Sequence, residues 1–231
     1  MKESSSNYLV ETKQVYTTST KVLEKDYIDC ILAINLDSDK FTAEKINATI
    51  DWLETKFKRC LILIADSLYE LSLQMINPEW EQQQATLLTD SKSQKILQIL
   101  SEKIQFKKPD NFEIVLSSVV QKYSGYEEYR KNLELIYKKE SNFKSSVEKF
   151  SEGFLHSKQI PSSAKNLEMT CNYVLEDLAI IACISQRGYK ALVYPGYLPL
   201  FIEIANGEHP ELILQLQELV YYEISLRSSG N

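Results

Sequence analysis

The feature that most constrains the fold is a pair of short, continuous apolar runs separated by a helix-like segment. Residues 30–34 read CILAI and residues 60–65 read CLILIA. Runs of this length without polar alternation are typical of strands that are covered on both faces of a parallel sheet. Between them, apolar side chains recur at helical spacing within residues 42–57. The three segments therefore predict a strand–helix–strand unit with a right-handed crossover.

Further along the chain, segments that resemble strands alternate with segments that resemble helices. Residues 189–195 (YKALVYP) and 219–225 (LVYYEIS) resemble two more strands, and residues 112–120 fit either a strand or the start of a helix. This alternation predicts a single α/β domain over residues 1–231, with a Rossmann-like, mostly parallel central sheet flanked by helices. The Ser-rich ends, about residues 1–20 and 226–231, are expected to be loosely ordered.

Several common kinds of functional site have no counterpart in the sequence. Neither a G-x-G-x-x-G fingerprint nor a Walker motif occurs, so no nucleotide cofactor is expected. The chain has only His156 and His209 and no Cys pair at ligand spacing, which argues against a metal site. Its apolar runs are far shorter than the roughly 20 residues of a membrane span, and its start lacks the apolar core of a signal peptide. We therefore expect a cytoplasmic protein that needs no cofactor, metal or membrane.

Polar side chains stand where two predicted strands end. Asn35 and Ser38 follow the first apolar run, and Tyr194 ends the strand-like segment 189–195. Ligands of open α/β sheets collect at the carboxyl ends of the strands, so these side chains can face one crevice. In an otherwise apolar helix, Tyr173 and Asp177 are four residues apart and share a face. They are interpreted either as a hydrogen-bonded pair within the core or as a proton-handling or amine-binding pair.

The basic residues are unevenly distributed in a chain whose net charge is −6. Residues 92–108 carry five Lys side chains against Glu102 alone, whereas residues 203–223 contain no Lys or Arg. A local basic stripe of this kind is either a solvated helix face or a surface for a polyanion. The charge pattern leaves both interpretations open.

Five stretches, in this order, resemble those of the tRNA-dependent cyclodipeptide synthases. They read LAINLDSDKF, DWLETKFKRCLILIADSLYE, YVLEDLA, LVYPG and LFIEIANGEHPELILQLQELVYYEI, and they fall within residues 28–75 and 165–225. The resemblance covers about half of the chain, and the order and spacing of the stretches make it specific. It implies a fold like the catalytic domains of class I aminoacyl-tRNA synthetases.

The resemblance also implies an activity and roles for particular residues. Members of the family take two aminoacyl-tRNAs, load the first aminoacyl group onto a Ser and join it to the second without ATP. The dipeptidyl enzyme then cyclises and releases a cyclic dipeptide. By position, Tyr173 and Asp177 would hold the substrate amino group, and Tyr194 would assist at the acyl centre. Pro195 places the chain with the subgroup that has Tyr-Pro at this point. A monomer is expected.

The resemblance further suggests residues for the amino-acid pocket and for the tRNA. The apolar pocket walls would be Ile31, Ala33, Ile180 and Leu192. On the helix after the second strand, Lys92 and Lys95 are the nearest candidates for tRNA binding. Contact with tRNA would release counterions from its backbone, which favours the polyanion interpretation of the basic stripe.

The chain departs from the family pattern at two positions. Asp177 replaces a Glu, which shortens its reach by about 1 Å and leaves room for a bridging water. Asn35 stands where the family has its nucleophilic Ser, and an amide nitrogen is a poor nucleophile because its lone pair is delocalised. The chain is therefore a synthase in which Ser38 has taken over, a synthase that transfers directly with Asn35 as an oxyanion donor, or a binder of charged tRNA without turnover. A further alternative is that the chain shares only the architecture of the family and not its function.

Overall fold

A six-stranded sheet forms the centre of the protein. The computed structural model describes residues 7–18, 28–77, 79–105, 107 and 111–229. The strands lie in the order β1-β6-β5-β2-β3-β4. Their bounds are Tyr8–Tyr16 for β1, Asp29–Ile34 for β2, Cys60–Ile64 for β3, Phe112–Leu116 for β4, Tyr189–Tyr194 for β5 and Val220–Ser228 for β6.

The sheet is parallel except at one edge. Strand β2 lies between β3 and β5 and is parallel to both, and β4 and β6 extend the parallel sheet outward. Strand β1 pairs antiparallel with β6. The residues of β3 are all buried, as expected for a strand with helices on both faces. The predicted class, an α/β fold with a mostly parallel sheet flanked by helices, is confirmed.

Helices connect the strands and cover both faces of the sheet. Their bounds are Ala43–Lys56 for α1, Asp66–Ile76 for α2, Gln82–Ile104 for α3, Ser117–Val120 for α4, Tyr126–Lys139 for α5, Ser141–Ser157 for α6, Ala164–Gln186 for α7, Pro199–Ala205 for α8 and Leu214–Gln217 for α9. Side chains alternate along β2: Leu32 packs into the core with residues of α1, and Ile31 packs into the core with residues of α7. Both side chains are fully buried, so the sheet separates two apolar layers.

The amino-terminal end corrects one prediction. Instead of a loosely ordered segment, residues 8–16 form the edge strand β1, and β6 continues to Ser228. Besides the strand pairing, Lys13 Nζ lies 2.6 Å from Glu223 Oε1, and Tyr16 Oη donates to Glu223 Oε2 at 3.2 Å. Residues 1–6, 19–20, 230 and 231 of the predicted loose ends lie outside the described part of the chain.

The segment 112–120 contains both of the structures that its sequence allowed. Residues 112–116 form β4, and residues 117–120 form the short helix α4. Asp66, in the first turn of α2, fixes this junction because its Oδ1 accepts hydrogen bonds from Ser117 Oγ at 2.7 Å and from the Ser118 backbone N–H at 2.9 Å. Across the described residues, no helix is long and apolar enough to cross a membrane.

Candidate active site

A cavity of about 450 Å³ opens at the carboxyl ends of β2 and β5. Its walls come from the turn after β2, from the end of β5, and from helices α6 and α7. Five of its lining residues are the candidates from the sequence: Asn35, Ser38, Tyr173, Asp177 and Tyr194. The tertiary structure thus brings together residues that are up to 159 positions apart in the chain.

The turn after β2 is held by its own side chains. Asn35 Oδ1 accepts a hydrogen bond from the backbone N–H of Asp37 at 2.9 Å, and the Asn35 carbonyl accepts one from Ser38 at 3.3 Å. Ser38 caps the following 3₁₀ helix, Asp39–Phe41, by accepting from the Lys40 N–H at 3.3 Å. This is the local geometry that Asn and Ser favour in turns. The Asn35 amide oxygen is therefore engaged within its own turn.

Helix α7 presents one face, with two polar side chains and one apolar side chain, to the cavity. Tyr173, Asp177 and Ile181 lie four residues apart and all line it. Burial raises the pKa of the Asp177 carboxyl to about 7, because the surrounding protein disfavours the charged form. Burial and the neighbouring Asp177 also raise the pKa of the Tyr173 hydroxyl well above its usual range. The Tyr173 ring stacks on Phe154 of α6 with ring centroids 5.7 Å apart, which orients the hydroxyl.

Tyr194, the last residue of β5, closes the other side of the cavity. Burial and the nearby Asp177 raise the pKa of its phenol to about 12, although a hydrogen bond with Ser38 opposes the increase. At neutral pH this phenol is protonated and can donate a hydrogen bond. Its ring packs edge-on against Phe41 at a centroid distance of 5.8 Å. A carboxyl group that titrates near neutral pH and two phenolic donors therefore face one space.

The apolar walls agree only in part with the residues proposed from the sequence. Ala33 and Leu192 line the cavity, whereas Ile31 and Ile180 are buried in the core and are not among its lining residues. Ile31 lies two residues deeper along β2 than Ala33, on the same face. Ile181 takes the place of Ile180, because it continues the four-residue spacing of Tyr173 and Asp177. That spacing was visible in the sequence. Aromatic side chains complete the walls: Phe150, Phe154 and Phe201.

The basic stripe is only partly available to a polyanion. Lys103 and Lys107 form ion pairs with Asp51 of α1 at 2.7 and 2.8 Å. Lys92 Nζ lies 3.3 Å from Asp37 Oδ1 and 4.6 Å from the centroid of the Tyr69 ring, and Lys95 is exposed on α3.

Two further lysines that the sequence analysis missed, Lys40 and Lys158, line the cavity itself. Neither belongs to the basic stripe. Only the tertiary structure brings Lys158, after α6, to the turn after β2. Across the described residues, no group of three or more His, Cys, Asp or Glu side chains is arranged to hold a metal ion.

The sequence matches a protein-family model over residues 13–181, well over half of the chain, and the family is described as cyclodipeptide synthase. The chain belongs to the cyclodipeptide synthase family. No curated protein sequence matches it significantly. The family assignment therefore stands on the family model, with the fold as independent support.

Solved structures of cyclodipeptide synthases share this fold. A synthase from Staphylococcus haemolyticus aligns with a TM-score of 0.75 at 21% identity, over 96% of this chain and 100% of its own. A Mycobacterium tuberculosis protein aligns with a TM-score of 0.76 at 13% identity, over 95% and 94%, and its structure is described as relating these enzymes to type I tRNA synthetases. A synthase from Candidatus Glomeribacter gigasporarum, solved bound to Phe-tRNAPhe, aligns with a TM-score of 0.61 at 14% identity, over 92% of each chain. At these identities the likeness establishes the synthetase-related fold.

Proposed function

We propose that this protein is an aminoacyl-tRNA-dependent acyltransferase that forms a cyclic dipeptide from two charged tRNAs, as a monomer and without a cofactor. The observation that carries the proposal is the convergence of Asp177, Tyr173 and Tyr194 on one largely apolar cavity beside the turn of Asn35 and Ser38. An aminoacyl ester combines an apolar or variable side chain, an amine and a carbonyl. The cavity offers apolar walls, a carboxyl group and hydrogen-bond donors for these three parts. A relative solved with Phe-tRNAPhe supports tRNA as the carrier.

Asp177 is suited to bind the substrate amine and to exchange a proton with it. Its pKa of about 7 is close to that of an α-amino group, roughly 7.7–8.0, so a proton can pass between them at little cost. The ammonium form would pair with the carboxylate, and the free amine left after proton transfer would attack the acyl carbon. Tyr173, one helical turn away, would donate a hydrogen bond that keeps the amine in place.

We assign the acyl-accepting role to Ser38, because Asn35 has no hydroxyl and its amide oxygen is held in the turn. Ser38 Oγ would attack the ester carbonyl of the first substrate, and the tRNA ribose hydroxyl would leave with a proton. The amine of the aminoacyl group on Ser38 would then attack the ester carbonyl of the second substrate, whose tRNA ribose hydroxyl would leave with a proton, to give a dipeptidyl enzyme. The free amine of the dipeptide would attack the Ser38 ester, close the ring and return a proton to Ser38 Oγ. Tyr194, which lines the same cavity as Ser38, would donate to the developing oxyanion.

A second candidate is a binder of charged tRNA that does not turn over. The residue that favours it is Asn35, which the sequence resemblance aligns with the family's nucleophilic Ser. The same alignment with the family places Tyr194 and Pro195 at the Tyr-Pro position, and we propose on this basis that the chain belongs to that subgroup. Under this alternative the cavity would still hold the aminoacyl group, but no acyl-enzyme and no cyclic product would form.

Incubation with radiolabelled aminoacyl-tRNAs, followed by mass spectrometry of protein and small products, separates these candidates. We expect a cyclic dipeptide and an acylated protein, both lost in Ser38→Ala. Ser157 provides the matched control, because it also lines the cavity and its hydroxyl donates to the Phe154 carbonyl at 2.8 Å. Ser157→Ala should retain activity. Cyclic dipeptide formed by Ser38→Ala would indicate direct transfer between the two substrates without an acyl-enzyme. Cyclic dipeptide formed only by Asn35→Ser would identify a tRNA binder that lost its nucleophile. No product from any variant would refute the synthase proposal.

A further inference from the structure

An ion triad is centred on Asp37 at the mouth of the cavity; Asp37 and Lys158 line the cavity, and Lys92 contacts Asp37 from outside the lining. The two oxygens of the Asp37 carboxylate each contact a different lysine: Oδ1 lies 3.3 Å from Lys92 Nζ, and Oδ2 lies 2.6 Å from Lys158 Nζ. Lys92 belongs to α3 and Lys158 follows α6, so a single carboxylate holds cations from two separate helices. All three side chains are between a quarter and a little over a third exposed, which leaves them within reach of a ligand.

A third lysine lies at the same mouth. The Lys40 Nζ is 5.4 Å from the centroid of the Tyr194 ring, and Lys40 follows Asp37 by three residues in the turn. Two carboxylates besides Asp37 line the cavity, Asp177 on its polar wall and the exposed Asp39. Asp39 differs from Asp37 in one respect: no ion pair with a lysine involves its carboxylate within the described part of the chain.

We propose that Lys92, Lys158 and Lys40 form a phosphate site for the acceptor end of the charged tRNA, and that Asp37 occupies this site until the phosphate displaces it. This inference rests on the proposed function. If the aminoacyl group enters the cavity, the ribose that carries it must lie at the mouth, and the backbone phosphate of the last nucleotides follows within one residue. Asp37 thereby acts as an internal competitor for the substrate phosphate.

The charges of the triad explain why a phosphate can replace the carboxylate. Two partly exposed lysines satisfied by one carboxylate retain a net positive charge, and a phosphate offers more acceptor oxygens and more negative charge. When the phosphate displaces Asp37, the carboxylate turns to water and frees the turn of Asn35 and Ser38 from its ties to α3 and α6. Docking of the tRNA end and adjustment of the candidate catalytic turn are therefore coupled through one side chain.

The decisive variant is Asp37→Asn, measured by fluorescence anisotropy with deacylated tRNA at low salt. Removal of the competitor should tighten binding about three- to tenfold. Asp39→Asn is the matched control, because it makes the same change in net charge two residues away and outside the triad, and it should tighten binding less than twofold. Equal gains in the two variants, or weaker binding by Asp37→Asn, would overturn the proposal.

The lysines and the end of the tRNA provide two further measurements. Lys158→Ala should weaken binding about three- to tenfold and lower the slope of log affinity against log salt by about 0.7, the value for one phosphate contact on a single strand. It should also reduce the gain from Asp37→Asn in the double variant, because Asp37 would then compete only at Lys92. Lys58→Ala should leave both quantities unchanged, because Lys58 precedes β3 at the amino-terminal end of the strands, opposite to the cavity. Asp37→Asn and the natural chain should bind a tRNA that lacks its last three nucleotides with equal affinity. If Asp37→Asn still binds this tRNA more tightly, the contact lies elsewhere on the tRNA.

These binding measurements are independent of turnover. If no cyclic dipeptide forms but the Asp37→Asn gain depends on Lys158 and on the tRNA end, the synthase proposal fails and the phosphate site stands. If product forms but the gain is absent, the phosphate site fails and the synthase proposal stands. Melting temperatures of the variants, measured in parallel, identify any that fail to fold, and for these Lys158→Gln replaces Lys158→Ala.

Discussion

Replacement of Asp177 by Asn should stabilise the protein while it reduces activity. Burial raises the pKa of Asp177 from its ordinary 3.8 to about 7, so the folded protein resists ionisation of this group. Each pKa unit corresponds to about 1.36 kcal/mol, and the full difference corresponds to about 4 kcal/mol at a pH above both values. Because the carboxyl faces a cavity that admits water, we expect Asp177→Asn to raise the free energy of unfolding by about 2–4 kcal/mol at such a pH. Asn has almost the same shape and never ionises, so it avoids this cost.

The sign of the pH dependence follows from proton binding. Between pH 3.8 and pH 7 the unfolded chain has released the Asp177 proton and the folded chain has kept it, so raising the pH favours unfolding. The cost is partly present at pH 5 and complete above about pH 8. The free energy of unfolding of the natural chain, relative to that of Asp177→Asn, should therefore fall by about 1–2.5 kcal/mol between pH 5 and pH 8.5.

Urea unfolding, followed by circular dichroism at several pH values, measures this difference. Glu168→Gln is the control, since Glu168 is an exposed carboxylate on the same helix. Its free energy of unfolding should change with pH by the same amount as that of the natural chain. A difference between Asp177→Asn and the natural chain that does not change with pH would refute the argument. So would destabilisation at every pH, because Asp177 would then be a satisfied structural group. Formation of the cyclic dipeptide should fall at least tenfold in Asp177→Asn, since a charged hydrogen bond to the amine is lost.

Three further predictions concern other parts of the site. Tyr173→Phe should change stability by less than about 1 kcal/mol, since the ring stacked on Phe154 remains, but should lower turnover at least tenfold; thermal melting and product assays measure both. Asp66→Ala should cost about 1–3 kcal/mol in urea unfolding, because it leaves donors of the β4–α4 junction unsatisfied, whereas an unchanged midpoint would show that water satisfies them. Gly196→Ala should cost about 1–3 kcal/mol, since Gly196 has φ +141° and a Cβ would collide with the Lys40 ammonium; its tRNA affinity should match that of Lys40→Ala.

The central part of the fold could be predicted because it is encoded locally. The continuous apolar runs that became β2 and β3, and the helical spacing between them, identify a buried parallel unit without reference to any other segment. Tyr173 and Asp177 could be assigned to one helix face for the same reason. Ile181 could have been found by extending that spacing by one turn, whereas the choice of Ile180 ignored the 100° rotation between successive residues.

Strand β1 could not be predicted in this way. Its burial pattern is mostly exposed, because an edge strand contacts the core on only part of one face, and its segment resembles a polar terminus. It becomes a strand through hydrogen bonds to β6, which lies more than 200 residues away in the chain. The pairing partner, and not the composition of the segment, decides the structure there.

The sequence by itself determined the class of fold, the residue types of the site and the resemblance to a family, because apolar periodicity and short motifs are local properties. The tertiary structure decided which of these residues share a cavity and with what charge. Only the packing of α6 and α7 against the sheet removes enough water from Asp177 to bring its pKa to about 7. Only the folded chain brings Lys158 to Asp37 across 121 residues. Desolvation and ion pairing depend on distances through space, and spacing along the chain does not specify them.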